Sequence, residues 1–339
     1  MHRDIIKTLI PKFMKKNTTA MTYLKLLSFV TALATSVYCA QALTVSPARL
    51  ELSADPGAVV TDEFTVINEQ DTEQTYYTSV ENFEAKGESG TPSFSTNKDG
   101  LPSWVQVVDK ITIKKGEKVK IPFTITIPAD ADAGGHFAAI FLSTIPPATK
   151  GGEVSVGAKV GMLMLLKVNG DIKEDVGVLS FLLKGKSHFA TTLPISFVYR
   201  FNNNGNDRVK PVGNITIKNN FWFTTATVNA NANEGNVLPN STRSFEATWG
   251  EGEPLPASTS FFNYVNYEMK NFAFGFYFAN LDLTFGTKTA SNSLWMFIFP
   301  WHLMILVAIA LAIVFTIFRS ALKRYNKFII AQARGAHAK

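Results

Sequence analysis

Along most of the chain, apolar and polar positions alternate one by one, in short runs closed by turn residues. A period of two is the mark of a half-buried strand. Phe64-Thr65-Val66-Ile67 runs into the turn Asn68-Glu69-Gln70-Asp71, and Tyr77-Thr78-Ser79-Val80 follows as the next strand. Ile111-Thr112-Ile113 is separated by Lys114-Lys115-Gly116-Glu117 from the longer run Val119–Ile127. Pro122 inside that run lacks a ladder donor, which predicts an edge position or a bulge. No long helical periodicity interrupts the pattern before the C-terminal region. The expected fold is all-β: two tandem Ig-like β-sandwich domains over residues 43-168 and 169-288.

A weak internal echo supports two units of one topology. Gly135-His136-Phe137-Ala138-Ala139-Ile140-Phe141 alternates Gly, Phe, Ala, Phe, and Gly275-Phe276-Tyr277-Phe278-Ala279-Asn280-Leu281 alternates Gly, Tyr, Ala, Leu. Upstream, the strand ending at Asn68 has a counterpart, Ile195–Phe201, that ends at Asn202. The loop Pro146–Gly152 is expected to split the last two strands of the first unit, and Asn169-Gly170-Asp171 to begin the connection.

Two uniformly apolar runs depart from the alternation. Lys12, Lys15, Lys16 and Lys25 precede Leu26–Ala34, and Ala40-Gln41-Ala42 follows as an A-x-A cleavage site. Residues 1-42 therefore read as a secretory signal peptide, with Met21 as an alternative start. From Leu294 to Phe318 no Lys, Arg, Asp or Glu occurs across 25 residues. At ~1.5 Å per residue that exceeds the ~30 Å hydrocarbon core, so a transmembrane helix is expected over 294-318. Trp295 and Trp301 would sit at its outer interface, Pro300 near its beginning, and His302 at interface level. Arg319, Lys323, Arg324 and Lys327 open a basic tail, 319-339, that the positive-inside rule places in the cytoplasm. The spacer Thr289–Ser293 is too short for a stalk, so the second domain should lie close to the lipid bilayer. The localisation expected is a bacterial plasma membrane, single-pass, with the sandwiches extracytoplasmic.

Charge sharpens this reading. The net charge of +6 belongs to the two ends, since residues 43–293 hold 21 basic against 26 acidic side chains. A nucleic-acid partner is not expected of a mildly acidic middle. The single cysteine, Cys39, falls in the segment expected to be removed, which leaves no disulfide and no thiolate nucleophile.

Candidate chemistry is sparse. His136 and His188 lie far apart without cysteine partners, and no H-E-x-x-H, G-x-S-x-G or P-loop occurs. No catalytic residue, cofactor or metal site is expected, and the chain reads as a non-enzyme. Asp130-Ala131-Asp132 reads as a turn rather than a calcium loop. The acidic residues from Asp55 to Glu88 read as a solvated face. Aromatic residues carry more information. Phe272, Phe274, Phe276 and Phe278 share one parity and are expected to face the core. Trp222-Phe223 and Phe261-Phe262, read as strand neighbours, put one ring of each pair outward. Trp222, Phe223, Phe261 and Phe262 are therefore candidates for partner binding, with the membrane surface or the first domain as the other use.

Ser46-Pro47-Ala48-Arg49-Leu50-Glu51-Leu52, then Pro56-Gly57 and the Asn68 turn, resemble the opening of a DUF916-type domain. Pro102-Ser103-Trp104-Val105, Gly116-Glu117 and Ile127-Pro128-Ala129-Asp130 through Phe137 continue that pattern. In the second domain Asn236-Val237-Leu238-Pro239-Asn240-Ser241-Thr242-Arg243-Ser244-Phe245 resembles the matching family segment. The whole is similar to the WxL-interacting cell-surface protein family of Gram-positive bacteria. The resemblance implies a peptidoglycan-binding Ig-like domain, a second Ig-like domain for a host or protein partner, and a membrane anchor. The function expected is an anchored binding or scaffold protein of the cell envelope, holding cell-wall polymer (peptidoglycan) or a surface protein. The alternatives are an accessory subunit of a membrane transport or secretion complex, a pilus-type assembly chaperone, and a surface enzyme without a recognisable motif.

Overall fold

A computed structural model describes residues 43–146 and 158–336, apart from 186, 254 and 257. The signal-peptide reading of 1-42, with Cys39 and Met21, lies outside the described residues, as does most of the Pro146–Gly152 loop.

The first unit is a sandwich of two sheets. Its strands are β1 (Leu43–Ser46), β2 (Arg49–Ala54), β3 (Val59–Asn68), β4 (Gln74–Lys86), β5 (Thr91–Ser95), β6 (Val105–Val107), β7 (Lys110–Ile113), β8 (Lys118–Thr126), β9 (Gly134–Ser143) and β10 (Lys159–Val168), with one helical turn, α1 (Leu101–Trp104), before β6. One sheet runs β1-β3-β8-β6, and the other runs β2-β10-β9-β4-β5 with β7 also on β4. Phe64, Val66, Ile121, Phe123, Ile125, Ile140 and Met164 fill the space between them. β8 pairs with β6 only over Phe123–Ile125, so Pro122 faces an open edge and its missing N–H costs no ladder bond.

The second unit repeats this plan. Its strands are β11 (Val176–Leu183), β12 (Phe189–Ala190), β13 (Ile195–Asn203), β14 (Val212–Asn219), β15 (Thr224–Asn229), β16 (Ser241–Trp249), β17 (Gly275–Phe285) and β18 (Lys288–Ile298). The sheets run β11-β13-β16 and β12-β18-β17-β14-β15. In each unit the penultimate strand lies between the last strand and the fourth-strand hairpin (β9, β17), and a short early strand runs parallel to the last one (β2 on β10, β12 on β18). Phe197, Tyr199, Phe201, Ile215, Ile217 and Met296 are fully buried in the second core.

The echo is real, but its register is shifted by one. β3 ends at Asn68 and β13 at Asn203, not Asn202. Both side chains are wholly buried and hold neighbouring backbone, which Asn202 does not. Likewise Gly134, not Gly135, matches Gly275: each opens its strand at positive φ, +129° and +106°. In β9 the core face is Ala138, Ile140 and Leu142, whereas in β17 it is Tyr277, Ala279, Leu281, Leu283 and Phe285.

That register corrects the expected Phe stripe. Phe276 and Phe278 point away from the core, and Phe272 and Phe274 precede the strand and are exposed. The left-handed Gly275 resets the direction of the chain, so parity read across it is lost.

Two elements differ from the sequence reading in kind. Phe261-Phe262 belongs to a helix, α2 (Phe261–Lys270), rather than to a strand. Phe261, Tyr264, Val265 and Glu268 fall at i, i+3, i+4 and i+7, a helical stripe too short to stand out beside the strands. At the C-terminus, residues 289–298 form the second half of the last hairpin instead of a spacer and the first turns of a membrane helix. The helix α3 starts at Trp301 and reaches Ala336. Leu294, Met296 and Ile298 alternate into the core, so the apolar run is partly strand. Within Trp301–Ile330 an 18-residue stretch has mean hydropathy 2.5, and the helix is long and apolar enough to cross a membrane.

Candidate functional site

The two sandwiches meet across a polar junction with a small cleft in it. Its first wall is β2, where Arg49 and Glu51 point outward, and the β4–β5 turn, Glu88 to Gly90. Its second wall is the β13–β14 loop, the β15–β16 loop and the start of β16. Gly135 N–H donates to the Asn206 carbonyl at 2.8 Å, and the Asn206 side chain donates to the carbonyls of Ala133 and Asp171 at 3.0 Å each. A Cβ on Gly134 would stand 2.3 Å from the Asn206 carbonyl oxygen, so only glycine permits this approach.

Glu51 is the hub. It accepts from Asn236 Nδ2 at 2.8 Å and lies 3.1 Å from Arg49 Nε, 3.7 Å from Arg208 Nε and 3.9 Å from Lys210 Nζ. Burial alone would raise its carboxyl, but the Asn236 hydrogen bond and the cations Arg208, Lys210 and Arg49 together hold it below the usual glutamate range. A group whose folded value is depressed contributes stability above its unfolded value and loses it as pH falls through the folded one. Glu51→Gln should therefore cost on the order of 0.5 kcal/mol at neutral pH, discounted for solvent screening, and nothing once the pH has fallen through the depressed folded value. Urea melts of both proteins at pH 7 and pH 3 check this; a difference that persists at pH 3 would assign Glu51 a role other than charge.

Behind Glu51 a cavity of about 90 Å³ opens between the sandwiches. Phe83, Leu163, Leu165 and Leu238 give it an apolar floor, and Arg49 and Arg243 give it a cationic wall. Leu238 comes from the second sandwich and packs on the Phe83, Phe141 and Leu165 cluster of the first. Arg243 donates from Nη1 to the Asn236 carbonyl at 2.8 Å and lies over the Phe245 ring, but among the described residues no carboxylate pairs with it. Its Nε is buried without a hydrogen-bond partner. Desolvation, and then repulsion from Arg49, both lower its proton affinity. A half-buried guanidinium facing a second one is a place where an anion would be strongly held.

The four aromatic candidates lie at the opposite end of the second sandwich. Trp222 and Phe223 occupy the β14–β15 turn, 66% and 70% exposed, and Trp222 sits at φ +62° with its indole stacked on Phe278 at 5.4 Å. Phe262 is 72% exposed on α2, while Phe261 turns toward Trp301 and His302. The structure thus brings the four to one end but gives them two different surroundings.

His302 is buried there in contacts within the protein. Its Nδ1 is 2.7 Å from Glu268 Oε1, Tyr264 stacks on it at 4.5 Å, and Leu303 N–H donates to Glu268 Oε2 at 2.8 Å. A buried carboxylate on the first turn of α3 meets helix donors that have no intrahelical partner. His136 packs on Trp104 and binds the Asp132 carbonyl, closing the Asp130–Asp132 turn, and His188 stacks on Trp295. Among the described residues no three His, Cys, Asp or Glu side chains are grouped to hold a metal.

Arg243 and Glu51 lie in segments that the family resemblance picked out, yet nothing in either segment signals its role. The two come together only when the second sandwich folds back on the first.

No protein-family model matches the chain, and comparison with curated sequences gives no match. Among solved structures it is similar to the class 5 fimbriae chaperone CfaA, at 15% identity over 75% of this chain and 99% of that one, with a TM-score of 0.36. A chain of the CsuC–CsuE chaperone–tip subunit complex of Acinetobacter baumannii is similar at 13% identity, over 76% and 99% of the two chains, with a TM-score of 0.34. The E. coli chaperone DraB is similar at 12% identity, over 75% and 96%, with a TM-score of 0.33. This likeness extends to an all-β, Ig-type arrangement of strands and no further.

Proposed function

We propose that the protein is a membrane-anchored binding or scaffold protein of the bacterial cell envelope, with both sandwiches extracytoplasmic and the basic end of α3 in the cytoplasm. It holds a carboxylate-bearing partner, peptidoglycan or a surface protein, in the cleft between the sandwiches. The observation that carries this reading is Arg243: a half-buried guanidinium, beside Arg49 and over an apolar floor, with no carboxylate of the chain's own among the described residues. At roughly 30 Å³ per water, the cavity accommodates one small side chain or a chain end rather than a folded surface. Stem peptides of the wall and protein chain ends both carry such groups. A photo-crosslinking residue at Pro92, on the rim of the cleft, tests this in intact cells. An adduct should form in the wild-type background and fall about tenfold or more with Arg243→Gln, the loss expected for one charge-assisted contact. Loss of the adduct on muramidase treatment would identify wall polymer, and a discrete protein band would identify a surface partner. No adduct in either background would overturn the cleft as the site.

One observation favours an assembly chaperone as the second reading. β2 covers the outer edge of β10 only from Leu163 onward, so among the described residues the outer edge of Lys159–Met162 has no strand partner. An extended segment of a client could add there as a strand.

A further inference from the structure

We infer that the end of the second sandwich from which α3 departs rests on the lipid bilayer, through a collar of aromatic side chains that enters the headgroup layer beside the helix. The inference rests on the anchored reading and adds a second, peripheral contact to it.

Strand pairing places the collar. Gly275 pairs with Ile298, Phe276 with Phe297 and Phe278 with Trp295, and Lys218 at the end of β14 pairs with Phe278. β12 sets Phe189 beside Phe297. Trp222 stacks on Phe278 at 5.4 Å, and a second group runs from Trp295 to Phe276 at 6.3 Å, on to Phe297 at 4.7 Å and to Phe299 at 6.3 Å, the Phe278–Trp295 strand pairing setting the two groups side by side. Phe299 is separated from Trp301, the first residue of α3, by Pro300 alone. The aromatic surface is therefore continuous with the apolar helix. Phe189, Trp222, Phe223, Phe276, Trp295 and Phe299 are all exposed.

The same sheet face changes character abruptly. Beyond Phe278 on β17 the outward residues are Asn280, Asp282 and Thr284, and before Trp295 on β18 they are Ser293 and Ser291. Asn280, Asp282 and Ser293 instead line a polar depression. A protein-binding patch centred on the face would have polar residues around it on all sides. This one has its apolar side at the helix and a single polar boundary across the strands. From Phe276 to Phe278 is about 7 Å at ~3.4 Å per residue, close to the ~5–10 Å that interfacial aromatic and apolar groups penetrate. Tryptophan and phenylalanine rings at that depth are favoured by the amphipathic and apolar character of the layer. The left-handed Trp222 holds two flanking Phe rings out at the tip of the β14–β15 turn, where no core packing uses them.

The test uses the full chain in lipid nanodiscs, with Cys39→Ser and single cysteines carrying a nitroxide. Accessibility to oxygen reports lipid, and accessibility to a polar nickel complex reports water. The ratio at Phe223→Cys should be several-fold higher than at Asn292→Cys, beyond the boundary, and should approach that at Ile313→Cys within the helix. Phe223 and Asn292 are both exposed, so neither label disturbs a core. If Phe223→Cys matches Asn292→Cys while Ile313→Cys reads as lipid, the collar does not rest on the bilayer and the inference falls. If Phe223→Cys is shielded from both reagents, protein covers the collar, and the inference again falls. Exposure of Ile313→Cys to water would instead remove the anchored reading on which it rests.

Discussion

Replacing Asn68 with alanine is expected to cost the first sandwich about 3 kcal/mol, because two or more buried polar groups lose their partner at once. Asn68 is fully buried at the end of β3. Its Nδ2 donates to the carbonyls of Thr72 at 2.9 Å and Ile113 at 3.0 Å, and its Oδ1 accepts from the Tyr76 hydroxyl at 3.0 Å and Gln70 N–H at 3.1 Å. The side chain thus binds two segments of backbone, Gln70–Thr72 and Ile113, and one core tyrosine. Alanine leaves the Ile113 carbonyl and the Tyr76 hydroxyl buried and unsatisfied, and water cannot replace the lost bonds. For a unit of this size the first thermal transition should drop by roughly 10 °C, followed by circular dichroism. Asn68→Asp separates hydrogen bonding from packing, since it preserves volume and the acceptor side but turns a carboxylate oxygen toward two carbonyls. It should destabilise at least as much at neutral pH and recover as the carboxyl protonates at low pH. A loss under 1 kcal/mol for both variants would show that the turn is held elsewhere. Asn203 makes the matching bonds to the Asp207 and Val237 carbonyls and should respond in the same way in the second sandwich.

The second large effect concerns Glu268. Its replacement by leucine is expected to release α3 from the second sandwich without unfolding either core. Glu268 is wholly buried, and its two oxygens serve His302 Nδ1 and Leu303 N–H. Removing it strands both donors, at a cost of about 3 kcal/mol. Because α2 touches the rest of the sandwich through few buried side chains, the loss falls on the α2–α3 contact. Amide exchange across Phe261–Lys270 and the first turn of α3 should accelerate by roughly a hundredfold, the equivalent of that energy, while β13 and β17 stay protected. Glu268→Gln keeps one acceptor and should give a smaller change. Uniform acceleration throughout the second sandwich would mean that the pair supports the core rather than the joint.

Strand alternation was legible because a sandwich buries one face of each strand, and Phe64, Val66, Ile121 and Ile125 report it directly. The Ig-type architecture followed. Two local events were not legible from parity. Gly275 turns the chain through positive φ, so Phe272 and Phe274 do not share a face with the strand that follows. The run from Leu294 is apolar both as strand and as helix, and only the pairing of Leu294, Met296 and Ile298 against β17 assigns its first half to the sandwich. The ten-residue helix α2 carried its own stripe, ending in Glu268, a carboxylate that strand alternation had no reason to treat as buried. The cleft was beyond sequence for another reason. Arg49 and Glu234, which meet there, stand 185 residues apart, and neither has a local motif.

The joint between β18 and α3 also fixes how the molecule bears load. β18 is antiparallel to β17 over eleven paired positions, from Gly275↔Ile298 to Phe285↔Lys288, and its Lys288 end lies beside Glu174, toward the first sandwich. The helix leaves from the other end. Tension between something gripped by the first sandwich and a helix held in place therefore runs along β18, parallel to the strand axis. Every rung of the ladder then resists sliding together instead of opening one after another, as a hairpin peeled from its end would. Pulled from those two ends, β18 would be loaded in shear along all eleven paired positions rather than in peeling.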